Sequence, residues 1–272
     1  MNSSTISQEL AASALATYGL EILDNAEPVS GGLQHRLLRL VAAPNGATGK
    51  QKFALKLLAS RSTDTVHSRQ QLERAEQVAM LAQKSGIPAM TAIPGQNGQY
   101  LQQVGEQWVI LYPWIEGKTL PPTAASESHC RVMGGYLGRL HALQIRFPDQ
   151  SGPIAEAFPE GHFREIAQRA EQSEASWAHR LNQVIDELEE INDLAMQSQM
   201  QLRDGWVTGH LDCDQKNVLW QDDSPMILDW ESSKPVHPAL EAMGAGLSWA
   251  GQSAGKTEVD SFLAFFGGYL RS

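Results

Sequence analysis

Basic residues, cysteines and long apolar runs are all scarce in this 272-residue chain, and each shortage removes a class of protein. Its 21 Lys and Arg stand against 31 Asp and Glu, a formal charge of −10 that repels the phosphates of nucleic acid and of anionic lipid. Neither nucleic acid nor membrane is expected as a partner. The two cysteines, Cys130 and Cys213, lie far apart and show none of the paired spacings of a zinc site or a disulfide framework. That usage fits a reducing compartment, and Met1 to Leu10 lacks a basic stretch followed by an apolar run, so a cytoplasmic location is expected. No segment approaches the ~20 apolar residues of a membrane span. Repeats and low-complexity tracts are also missing. A hydrophobic content of 42% suffices for a buried core without metal or disulfide. Oligomeric state is not legible.

The pattern of what is present changes along the chain. Leu10 to Leu23 carries apolar residues at helical spacing and ends at the Pro28-Val29-Ser30-Gly31-Gly32 stretch. Leu33 to Val41 and Lys52 to Leu58 read as antiparallel strands around the Ala43-Pro44-Asn45-Gly46 turn, and Ser68 to Gln83 reads as a helix stopped by Gly86 and Pro88. Met90 to Tyr100, Leu101 to Val104 and Trp108 to Tyr112 look strand-like. Beyond Pro121-Pro122 the pattern turns helical, over Arg131 to Leu143, Phe163 to Ala170 and Ala178 to Leu202. The expectation is an α+β protein of two lobes: 1–111 a small antiparallel sheet with a helix, 112–117 a hinge, and 118–272 a larger, mostly helical lobe.

The chemistry concentrates in Thr208-Gly209-His210-Leu211-Asp212-Cys213-Asp214-Gln215-Lys216-Asn217, followed by Met226-Ile227-Leu228-Asp229-Trp230-Glu231. This is H-x-D-x-x-x-x-N and then D. Phosphoryl transfer needs a carboxylate aimed at the attacking hydroxyl and oxygen ligands that hold Mg²⁺ against the nucleotide phosphates. Asp212 suits the first role, Asn217 and Asp229 the second. Val218 to Trp220 and Met226 to Leu228 form an apolar hairpin pattern that would bring Asn217 and Asp229 side by side. His210 is read as structural, an inward imidazole bonding the loop backbone.

This loop resembles the catalytic loop and metal aspartate of the aminoglycoside phosphotransferase and choline kinase superfamily, whose fold is that of the protein kinases. Ser30-Gly31-Gly32 is similar to the family's nucleotide-covering glycine turn and Phe53-Ala54-Leu55-Lys56 to its strand bearing the phosphate lysine. Leu111 to Gly117 resembles the hinge, where Tyr112 and Trp114 would flank a purine held by backbone groups, and Gly138 to Leu143 the core helix, with His141 packed beneath the catalytic loop. The resemblance implies a small-molecule O-phosphotransferase using Mg²⁺ and ATP or GTP, with Lys56 on the α- and β-phosphates and paired to a helix glutamate. Glu73 and Glu76 share a helical face, and Glu76 is favoured. The 98 residues from Trp114 to Asp212 match the helical insertion that carries much of the acceptor site in antibiotic kinases, so antibiotic resistance is one implied role.

Several positions depart from the family pattern. Leu211 replaces a usual Gly or Arg, and Asp214 and Lys216 place extra charge beside the base; Lys216 would either touch the transferred phosphate or face solvent. His237-Pro238-Ala239-Leu240-Glu241 replaces an aspartate-bearing helix start. Gly251 to Thr257 imitates a P-loop but fails on spacing, because Ala250 stands where that motif needs its first glycine. Competing readings are a non-catalytic kinase-like nucleotide module, disfavoured by the presence of Lys56, Asp212, Asn217 and Asp229 together, and a kinase of a choline-like alcohol or sugar. Metal-dependent phosphate hydrolysis would want more ligands. The acceptor is expected to be a hydrophilic, cationic hydroxyl compound. The −10 balance and the crowd of Asp186, Glu187, Glu189, Glu190 and Asp193 on one helix motivate this, though such a run also suits a solvated face. Glu231 and Glu241, which follow the metal aspartate and would line the acceptor's approach, carry more weight.

Overall fold

The computed structural model describes residues 3–29, 34–46, 49–153, 158–159, 161–202 and 204–272. The N-terminal lobe runs α1 (Ser3–Thr17), β1 (Leu20–Ile22), β2 (Glu27–Val29), β3 (Arg36–Pro44), β4 (Gln51–Leu57), α2 (Val66–Lys84), β5 (Gln102–Val104) and β6 (Gln107–Pro113). All its strands pair antiparallel in the order β1-β3-β4-β6-β5, with β2 also on β3. Alternation sets the two faces of the sheet. Leu38 and Leu40 on β3, Phe53 and Leu55 on β4, and Val109 and Leu111 on β6 point to Ala11, Ala14 and Leu15 of α1. Each such leucine contributes roughly 2 kcal/mol of burial. Lys56 therefore lies on the opposite face, opposite Ile110 in the register.

The second lobe contains α3 (Glu127–Ala142), α4 (His162–Gln172), α5 (Ala178–Gln201), β7 (Val207–Thr208), β8 (Val218–Gln221), β9 (Ser224–Ile227), β10 (Pro235–Val236), α6 (Pro238–Trp249) and α7 (Val259–Tyr269). Ser126 and His129 close the N-terminus of α3 as a capping box. Met133, Leu137, Val218, Ile227, Trp249 and Phe265 form the core here. Helices α3 and α7 cross closely over glycines: a Cβ on Gly134 would sit 2.0 Å from the Phe265 carbonyl oxygen, and one on Gly268 2.0 Å from that of Arg131. Strands β8 and β9 form a hairpin, and β7 pairs with β10.

Both strands of that hairpin are clamped by segments leaving the first lobe. Met90 N donates to Ile227 O at 2.8 Å and Ile227 N to Pro88 O at 2.7 Å, while Lys118 and Trp220 exchange bonds of 3.0 and 2.9 Å. Two sequence expectations are corrected. The first helix stops at Thr17 because Gly19 turns the chain with φ +71°, which begins β1. Met90 to Tyr100 is irregular rather than a strand, since Pro94 has no N–H to donate and Glu73 takes the amides of Tyr100 and Leu101. Among the described residues no helix is long and apolar enough to cross a membrane.

Candidate active site

Strand β7 delivers the chain into the loop that carries Asp212. His210 is buried, its Nδ1 accepting from Asp212 N at 3.2 Å and its Nε2 donating to Leu228 O at 3.0 Å. Burial keeps its pKa low despite nearby carboxylates, so the ring is a neutral brace between loop and hairpin. Leu211 adopts φ +64°, a left-handed conformation that costs a leucine roughly 1–2 kcal/mol.

Glu241 holds that strained peptide. Its Oε1 accepts from His210 N at 2.8 Å and Leu211 N at 2.6 Å, and His141 Nε2 donates to its Oε2 at 2.8 Å. His141 Nδ1 in turn lies 2.8 Å from the Tyr269 hydroxyl, so His141 reaches the loop through Glu241. Burial pushes the Glu241 carboxyl up, but the bond from His141 and its neighbours outweigh it and hold the pKa below the ordinary range. Gly209 is required here, because a Cβ would fall 1.8 Å from Glu241 Oε2. Glu241 is thus 5% exposed and bonded to the loop, and it also lines the cleft beside Asp212.

The proposed reacting groups are linked by hydrogen bonds. Asn217 Nδ2 donates to Asp212 Oδ2 at 2.7 Å and to Asp212 O at 2.8 Å, which leaves its amide oxygen for another partner. Lys216 Nζ lies 2.8 Å from Asp212 Oδ1 and 2.9 Å from Asp214 Oδ2, and these carboxylates, against some burial, hold it charged. Leu228 N donates to Asn217 O at 2.8 Å, so the hairpin sets Asp229 beside Asn217. Asp229, at φ +58°, meets Lys56 Nζ at 2.7 Å. A cleft of about 270 Å³ opens beside Asp212, lined also by Leu211, Asp214, Leu240, Gly244 and Ser248.

Lys56 has a second carboxylate, Glu231 Oε2 at 3.0 Å, and these two acids more than offset the burial that disfavours its charge. Glu231 is also bonded by His35 Nε2 at 3.0 Å; burial raises its carboxyl, but His35 and Lys56 outweigh that and lower it to about 2. Its expected place on the acceptor side is therefore corrected to the Lys56 side. The expected Lys56–Glu76 pair is likewise not formed. Glu76 is buried, accepting from the Tyr112 hydroxyl and from Ala92 N at 3.0 Å, and burial raises its pKa to about 7. Glu73 takes Leu101 N at 2.6 Å. Both glutamates satisfy backbone donors of the irregular segment before β5.

Tyr112 thus braces α2, and burial pushes its hydroxyl pKa up, while Trp114 continues β6 by donating its N–H to Lys52 O at 3.0 Å, with the Arg39 guanidinium 5.6 Å over its ring. Ser30, Gly31 and Gly32 lie outside the described residues. His35 escaped sequence reasoning, and its one signal is its place just after the glycine turn.

The oxygen set fits a magnesium ion. Among the described residues no three His, Cys, Asp or Glu side chains cluster as a complete metal cage. Magnesium at phosphoryl-transfer sites takes one or two protein oxygens plus substrate phosphates, which Asp229 and the Asn217 amide oxygen match.

The profile of the phosphotransferase enzyme family, APH, matches residues 26–271. Protein StrN of Streptomyces griseus is 28% identical over 81 residues, which span 29% of this chain and about a quarter (24%) of that protein. The fold superposes on spectinomycin phosphotransferase in complex with ADP and spectinomycin with a TM-score of 0.69 at 18% identity, covering 98% of this chain and 80% of that one. It also resembles choline kinase from Cryptosporidium parvum Iowa II, TM-score 0.58 at 14% identity, covering 91% and 74%. With its antiparallel sheet, helical second lobe and protein-kinase-like architecture, the chain belongs to the phosphotransferase enzyme family.

Proposed function

We propose that the chain transfers the γ-phosphate of ATP, with GTP the alternative donor, to a hydroxyl of a small molecule. The observation that supports this best is the hydrogen-bonded series from Asp212 through Asn217 to Leu228 and Asp229 and on to Lys56, which brings two carboxylates, an amide oxygen and an ammonium together. In this reading residues 1–111 form the nucleotide lobe, 112–117 the hinge and 118–272 the catalytic and acceptor lobe. Asp212 orients the acceptor hydroxyl and takes its proton. Lys56 holds nucleotide phosphates, and the backbone of 112–114 holds the base, with Ser30, Gly31 and Gly32 covering the phosphates. Asn217 and Asp229 would hold Mg²⁺, which supplies charge neutralisation at the transferred group. The acceptor sits in the cleft beside Asp212, and the helices between Trp114 and Asp212 complete its site.

A spectinomycin-bound relative and a choline kinase share the fold, so antibiotic and metabolite alcohols are both acceptor classes to screen. Asp212, Asp214 and Glu241 line the cleft and favour a cationic acceptor within either class, while Glu231 is bonded to Lys56. Asp212→Asn should retain nucleotide binding and lower kcat by roughly 10²- to 10⁴-fold with an acceptor found by such a screen. Normal turnover in that variant would remove Asp212 from the chemistry.

A further inference from the structure

Lys56 finds no partner on the helix that follows it, because Glu76 is bonded to Tyr112 and Ala92. Its ammonium is held instead from the other lobe, by Asp229 at 2.7 Å and Glu231 at 3.0 Å. The two acids differ in what else is asked of them. Asp229 is the carboxylate proposed for the cation, and ligation draws its lone pairs away from a lysine. Glu231 faces a second donor: His35 Nε2 lies 3.0 and 3.2 Å from its two oxygens. Ala59 N donates to His35 Nδ1 at 3.0 Å, so the ring proton resides on Nε2 and the imidazole is a neutral donor aimed at Glu231. Neutrality matters here. A lysine or arginine at this place would cancel the charge of Glu231 and repel Lys56, whereas an imidazole N–H orients the carboxylate and leaves its charge to the ammonium. Glu231 itself stands on a single helical turn, Trp230–Ser232, anchored by buried Trp230 and packed on α2.

We infer that His35 and Glu231 are positioning residues for Lys56, the glutamate holding the ammonium toward the nucleotide phosphates and the histidine holding the glutamate, in place of a glutamate on α2. The relay joins the start of β3, the lysine of β4 and the turn after Asp229 across the cleft. It rests on the proposed phosphate role of Lys56.

Calorimetric binding of Mg-ATP and of adenosine to the full chain tests both layers. Lys56→Ala should reduce the preference for Mg-ATP over adenosine; if that preference is unchanged, the phosphate role of Lys56 fails and the relay with it. Given that loss, Glu231→Gln and His35→Ala should each weaken Mg-ATP by about tenfold with adenosine unaffected, and the double variant should lose no more than Glu231→Gln alone, because both act through one lysine. His35→Gln, which keeps an N–H donor, should recover part of the loss. Unchanged Mg-ATP affinity in Glu231→Gln and His35→Ala, or fully additive losses, overturns the relay. A Glu231→Gln protein whose defect is a raised Mg²⁺ requirement, beside a normal His35→Ala, makes Glu231 a metal ligand and also overturns it. Adenosine binding lost together with Mg-ATP in both His35 variants marks a damaged sheet instead and counts against it equally.

Discussion

Glu76 accepts from Tyr112 and Ala92 in a buried interface, and desolvation lifts its pKa from 4.5 to about 7. The folded state therefore binds a proton that the unfolded state has released. Stability from this group is complete below about pH 4.5 and is lost as pH rises through about 7. Glu76→Gln keeps an oxygen for the Ala92 N–H and can donate its amide N–H to the Tyr112 hydroxyl oxygen, without the charge, so above neutrality it should be more stable than the parent by on the order of 2 kcal/mol. Thermal melting between about pH 5 and pH 8 checks this: the parent's decline should flatten in the variant, and parallel curves would refute it. The same residue marks how far single positions can be read. The juxtaposition of Asp212, Asn217 and Asp229 was legible because their spacing has a geometric reason in the hairpin. Glu76, Glu231, Glu241 and His35 were not, since a carboxylate's partner depends on which backbone donors lie unsatisfied near it in the fold. The buried donors that claimed Glu241 belong to Leu211 and His210, 30 and 31 residues away.

At the scale of elements, period-2 alternation made β3, β4 and β6 readable, and apolar spacing did the same for α2, α3, α4 and α5 within a few residues at their ends. What periodicity could not show was helix crossing. The approach of α3 to α7 depends on Gly134 and Gly268, where added methyl groups would meet carbonyl oxygens at 2.0 Å. Backbone cannot retreat as a side-chain tip can, so Gly134→Ala should cost about 1–3 kcal/mol despite the better helix propensity of alanine. Urea unfolding measures this as a lower midpoint, and an unshifted or raised midpoint would mean the helices separate freely. The loss should spread to the loop, since Tyr269 on α7 backs His141 and His141 backs Glu241.

At the scale of the whole molecule, the main-chain bonds of Met90 and Ile227 and of Lys118 and Trp220 tie the hairpin flanked by Asn217 and Asp229 to the segment after α2 and to the one after β6. The groups proposed to handle phosphate thereby travel together. Helices α4 and α5, in contrast, pack chiefly on one another, joined by the Arg164–Asp186 pair at 2.6 Å, and Asn192 of α5 exchanges bonds of 3.0 Å with Phe158 just before α4. Replacing α4 to α5 with the corresponding helices of a relative should leave Mg-ATP affinity within about threefold of the parent while changing which alcohols are phosphorylated. Binding calorimetry and an acceptor screen on the chimera report the two outcomes separately, and a chimera unable to bind Mg-ATP would show the parts to be inseparable. In the proposed reading that helical pair is a replaceable tool head: its internal bonding lets new acceptors be tried by descent while the handle assigned to the phosphates is inherited unaltered.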